Sequence, residues 1–124
     1  MPGEKSNKTI TKRSLPREIK ISVKASQAKK GEELLVLDLR GLTSFTDFFI
    51  IMQGNSSRQN RALYKNVEQE LKKENITPLS IEGKDNAEWI LMDYGYFIVH
   101  VFSKTAREYY SLEKLWGDAL KYSY

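Results

Sequence analysis

The chain has 124 residues, 40% of them hydrophobic and 29% charged, enough for one globular domain with a buried core. It has no Cys, which excludes disulfides, thiol catalysis and Cys-ligated zinc and fits a cytoplasmic protein, and no apolar run approaches the length of a membrane span. The net charge of +4 is unevenly spread: residues 1–30 hold nine Lys or Arg against two Glu, and residues 31–124 hold eleven against fourteen acids. The basic character therefore sits in the N-terminal segment. A mildly acidic remainder is a poor partner for phosphates and suits a basic protein surface.

Residues 1–16 are polar, lysine-rich and closed by Pro16, and they read as a disordered basic tail before a single domain over 17–124. Between Arg17 and Lys30, Ile19 and Val23 give helical spacing, while Ile19, Ile21 and Val23 give strand alternation. Ala25, Gln27, Ala28 and the two lysines favour helix, with Gly31 as its stop. Leu34–Leu39 predicts a short strand. Phe48–Met52 predicts a second strand, apolar on both faces and therefore central. Ser56–Asn75 predicts the clearest helix, opened by a Ser56/Gln59 capping box and striped by Leu63, Val67 and Leu71. Leu79–Glu82 predicts a third strand.

Trp89–Phe102 reads as a hairpin turning at Tyr94-Gly95, which pairs Asp93 with Tyr96, Leu91 with Ile98 and Trp89 with His100. One face then shows Trp89, Leu91, Asp93, Tyr96, Ile98, His100 and Phe102. That mixture suits docking better than a core. Lys104–Tyr110 and Leu112–Trp116 continue as helix, with Leu112, Leu115 and Trp116 facing the body. The order α-β-β-α-β-β-β-α predicts an α/β fold with a five-stranded mixed sheet and flanking helices.

Three constellations could carry chemistry. Gly54, Ser56, Ser57 and Arg58 at a strand-to-helix junction could hold an anion, although the phosphate-loop and dinucleotide patterns are both absent. The same junction resembles the start of nucleotidyltransferase-like sheets. That chemistry needs clustered carboxylates for magnesium, and Asp93 stands alone. Ser57, His100 and Asp93 spell a triad on paper without a Gly-x-Ser-x-Gly elbow. A single His leaves only carboxylates to complete a metal site, so no metal or cofactor is expected. Arg107, Glu108, Tyr109 and Tyr110 after the hairpin add the Tyr and Arg content typical of binding hot spots.

The chain resembles the ribosomal silencing factor family, also called the Iojap family. The resemblance rests on Asp38-Leu39-Arg40-Gly41-Leu42, Thr46-Asp47-Phe48-Phe49-Ile50-Ile51 and Gly54-Asn55-Ser56-Ser57-Arg58-Gln59. It continues through Glu82-Gly83, Glu88-Trp89, Asp93-Tyr94-Gly95 and Val99-His100-Val101-Phe102, then Arg107-Glu108-Tyr109-Tyr110 and Leu112-Glu113-Lys114-Leu115-Trp116. These motifs run in order through about residues 17–120. Asn55 and Tyr96 depart from the family's usual Thr and acidic residue. The resemblance implies a nucleotidyltransferase-like fold without enzymatic activity. It implies binding to the large ribosomal subunit through its protein number fourteen, which blocks joining of the small subunit and represses translation when nutrients are scarce. It also implies a homodimer in some members. On that reading Trp89 and Leu91 are anchors, Glu88 and Asp93 meet basic groups, and Tyr94, His100, Arg107 and Tyr110 complete the patch. Direct RNA contact is expected at most through the basic tail, and no membrane contact is expected.

Overall fold

A computed structural model describes residues 15–124. Along the chain come helix α1 (Arg17–Ala28), strands β1 (Glu32–Asp38) and β2 (Phe48–Gly54), and helix α2 (Ser57–Lys72). Strands β3 (Ser80–Glu82), β4 (Trp89–Asp93) and β5 (Phe97–Ser103) follow, then helix α3 (Lys104–Tyr110), the single turn α4 (Leu112–Leu115) and strand β6 (Leu120–Ser123). The strands form one sheet in the order β3-β4-β5-β2-β1-β6. All seven residues of β2 are buried, as its run of apolar residues requires, and it pairs antiparallel to β1 and parallel to β5. The sheet is therefore mixed, with α2 inside the crossover that makes β2 and β5 parallel.

It has six strands, not five. The extra strand, β6, pairs antiparallel to β1, setting Val36 opposite Tyr122 and Asp38 opposite Leu120. Four residues that include an exposed Lys121 carry too little pattern to announce a strand. What holds them is Tyr122, 4% exposed, packed into the core.

The helical reading of residues 17–28 holds. Ile19 and Val23 reach the core, and the hydroxyls of the buried Ser22 and Ser26 donate to the carbonyls of Glu18 and Ser22 one turn back, which removes the cost of burying them. The helix ends at Ala28, three residues before Gly31. Lys30 takes the left-handed conformation (φ 61°), and Gly31 N–H closes onto Ser26 O at 2.9 Å. In α2 the Ser56 oxygen accepts from Gln59 N–H at 3.1 Å as the capping box requires. The Gln59 side chain, however, accepts from Asn55 N–H rather than from Ser56.

The tail expectation falls largely on residues 1–14, outside the described residues. Leu15 and Pro16, the last two residues of that stretch, belong to the body: Leu15 is in the core and Pro16 caps α1.

Period-two alternation splits the sheet's side chains into two layers. Val36, Ile50, Met52, Ile90, Met92, Val99 and Val101 face α1 and α2, where Ile19, Val23, Leu63, Val67 and Leu71 meet them. Leu35, Leu37, Phe49, Ile51 and Phe102 face the other way, against Ala106, Ala119, Leu112 and Trp116. The two long helices cover the first face. The short C-terminal helices cover only part of the second.

Candidate docking site on the second sheet face

The hairpin turns at Gly95-Tyr96, one residue later than the sequence suggests. Tyr94 N–H donates to Phe97 O at 3.0 Å, and Gly95 takes φ +91°. Gly is favoured at the first central position of a two-residue hairpin loop, where φ must be positive. The register moves accordingly: Trp89 lies opposite Phe102, Leu91 opposite His100 and Asp93 opposite Ile98. Each β4 residue has moved two places along β5, and a two-residue shift preserves the face. Trp89, Leu91, Asp93, Ile98, His100 and Phe102 therefore do share one side. Tyr96 leaves it for the turn. Tyr94 points to the opposite side, stacked on Phe97 at 4.6 Å with its hydroxyl buried. Burial, with Glu68 adding to it, raises the Tyr94 phenol well above its ordinary range. Tyr94 supports the hairpin from the helix side and is not part of this face.

Exposure divides the shared residues further. Trp89, Leu91, Asp93 and Ile98 are half-buried. His100 is only 3% exposed, beneath the face rather than on it. Its Nδ1 accepts from Trp89 Nε1–H at 3.0 Å, so the ring is neutral with its proton on Nε2, which is buried without a partner. The Phe49 ring meets it edge-on at 4.5 Å. Burial pushes the His100 pKa down to about 3. One oxygen of Asp93 accepts from Gly95 N–H at 2.8 Å and so fixes the turn. Glu88 is exposed at the edge and accepts from the Ser103 hydroxyl at 2.7 Å.

The aromatic side chains form a continuous strip across this face. Tyr109 packs on Tyr110, Tyr110 on Trp89 (4.5 Å), Trp89 against His100, His100 against Phe49, and Phe49 against Trp116 and Phe45. Tyr110, 47% exposed, lines the strip as expected. Arg107 does not. It is 8% exposed, and its guanidinium donates to Glu113 and to the Glu33 carbonyl, tying α3 and α4 to the start of β1. Leu115 also departs from expectation: the helical path breaks at Ser111 (φ 44°), and the side chain ends 71% exposed. Phe45 and Tyr109, 58% and 81% exposed, extend the strip at its two ends. Phe45 lies in a loop, where no periodicity marks it.

The triad does not assemble, because Trp89 rather than Asp93 holds His100 Nδ1. At the Gly54–Arg58 junction the N–H groups of Asn55 and Gln59 are taken within the chain, and the Asn55 side chain donates to Glu32 at 2.9 Å. A carboxylate, that of Glu32, therefore already stands against Asn55 of this loop. Among the described residues no group of three His, Asp or Glu could hold a metal ion.

Comparison with known proteins bears on this geometry. Residues 12–123 match the family model described as "Ribosomal silencing factor during starvation". The chain is 42% identical over 101 residues to the ribosomal silencing factor of Bacillus subtilis, covering 82% of this chain and 86% of that protein. It is 46% identical over 88 residues to the Haemophilus influenzae ribosomal silencing factor, covering 71% and 86%. A crystal structure of a Chromobacterium violaceum protein superposes with a TM-score of 0.78 at 37% identity, covering 82% of this chain and 85% of that one.

Proposed function

Because the chain belongs to the ribosomal silencing factor family, a family of ribosome-associated regulators of translation, we propose that it docks on the large ribosomal subunit through protein number fourteen, blocks joining of the small subunit and represses translation under nutrient limitation. One observation carries the choice of surface. The second sheet face is left half-covered where Trp89, Leu91, Asp93 and Ile98 lie side by side, flanked by the exposed Glu88 and Tyr110. An amphipathic Trp in a well-packed aromatic strip, on a patch that also holds the carboxylates of Glu88 and Asp93, is the composition of a hot spot for a partner with apolar and basic groups. His100 and Phe102 act from below by holding the Trp89 ring.

Co-sedimentation with purified large subunits tests this, with a subunit-joining assay beside it. Wild type is expected to migrate with the large subunit and to reduce joining. Trp89→Ala should weaken binding by at least about 2 kcal/mol, roughly thirtyfold. Wild-type protein that neither co-migrates nor inhibits joining would sink the function. Undiminished binding by Trp89→Ala would sink the assigned face.

A further inference from the structure

Charge is sorted by layer in the folded chain in a way that its order along the sequence conceals. The helical layer, residues 17–30 and 57–74, holds ten Lys or Arg against four Glu, a balance of +6. The remaining described residues, 15–16, 31–56 and 75–124, hold six Lys or Arg against eleven Asp or Glu, a balance of −5. Apolar exposure is sorted the opposite way. Nine large apolar side chains are exposed among the described residues, including Phe45, Leu79, Tyr109 and Leu115, and none lies on α1 or α2. The outer surface of the helices thus offers cations without apolar anchors.

Lys24 on α1 and Arg58, Lys65 and Lys72 on α2 are exposed, and none of the four makes an ion pair with another of the described residues. A groove of about 410 Å³ between the helices is lined by Lys24, Lys29, Asn66 and Glu70, and Glu70 is already paired with Lys73. A protein hot spot or a membrane surface calls for apolar groups that this layer lacks. A phosphate backbone calls for distributed cations and little else.

We infer that the outer surface of α1 and α2 is an RNA-facing surface, lying against the phosphate backbone of large-subunit rRNA while the opposite sheet face holds the ribosomal protein. The choice of that RNA rests on the docking reading above; the polyanion chemistry does not.

The test uses the full chain and the variant Lys24→Gln/Arg58→Gln/Lys65→Gln/Lys72→Gln, with circular dichroism as the folding control and a second variant carrying Arg at the three lysines. Affinity for large subunits is measured between about 50 and 200 mM salt. The Gln variant should reduce the slope of log affinity against log salt by about 3, from four lost phosphate contacts. The Arg variant should keep the wild-type slope. Trp89→Ala should lower affinity and leave the slope unchanged, which separates the two faces. Should wild type fail to bind the subunit, the docking reading falls, and a naked duplex from large-subunit rRNA reads the helical face by itself: salt-dependent binding lost in the Gln variant sustains it. An unchanged slope in the Gln variant on both targets overturns the inference. So does loss of binding to anionic phospholipid vesicles with RNA binding intact, which would assign the layer to a membrane.

Discussion

An indole N–H packed into protein needs an acceptor, and His100 can provide one only while its Nδ1 carries no proton. That requirement couples Trp89 to pH. Unfolded, His100 titrates near the ordinary value of about 6.5; folded, burial holds it at about 3. Between those values the unfolded chain binds the extra proton, so the stability due to neutral His100 is fully present above about pH 6.5 and is lost as pH falls toward 3. The slope attributable to this one group approaches about 1.4 kcal/mol per pH unit. In urea titrations across that range, His100→Phe should show a shallower loss of stability than wild type. Parallel curves for the two proteins would show that His100 is not held neutral. Alternation along β4 and β5 was enough to put Trp89 and His100 on one face. It could not show that His100 lies below the surface, because its cover comes from Phe49 on another strand and from Trp89 itself.

Among the elements, the loop before β4 sets where Trp89 sits. Gly83 has φ +84°, and a Cβ there would lie 1.9 Å from the Trp89 carbonyl oxygen, a backbone atom with little room to move. Gly41 has the same φ with open space around it. Gly41→Ala therefore reports the cost of the left-handed backbone alone, about 1 kcal/mol. Gly83→Ala should cost clearly more and also weaken subunit binding by displacing the start of β4. Equal urea midpoints for the two variants would mean the loop relaxes freely. The hairpin was legible from its apolar runs, and so was the α2 cap from Ser56 and Gln59. The exact turn was not, because Tyr94-Gly95 and Gly95-Tyr96 both place the glycine centrally. Only the need for positive φ at the first central position separates them.

At the scale of the whole molecule, what the sequence hides is what depends on distant segments meeting. The basic helical layer draws half its cations from residues 57–74, inside the span 31–124 whose balance as a whole is acidic. The sixth strand pairs Leu120–Ser123 with Leu35–Asp38, across some eighty residues of chain. That strand closes the sheet on the β1 side. Without it β1, buried from Leu34 to Asp38, would present a row of unpaired N–H and C=O groups, the kind of apolar edge on which chains associate. Deleting residues 119–124 also removes the buried Ala119 and Tyr122 from the two cores. The truncated chain should unfold at lower urea and show concentration-dependent association by light scattering. Tyr122→Ala separates the two effects: it should lose roughly 3 kcal/mol of stability by leaving a cavity and keep the association state of wild type, since the edge is still paired. A truncated chain that associates no more than wild type and is as stable would show that β6 does not close the sheet. Association of Tyr122→Ala as strong as that of the truncation would place the protection in the tyrosine ring rather than in the strand pairing.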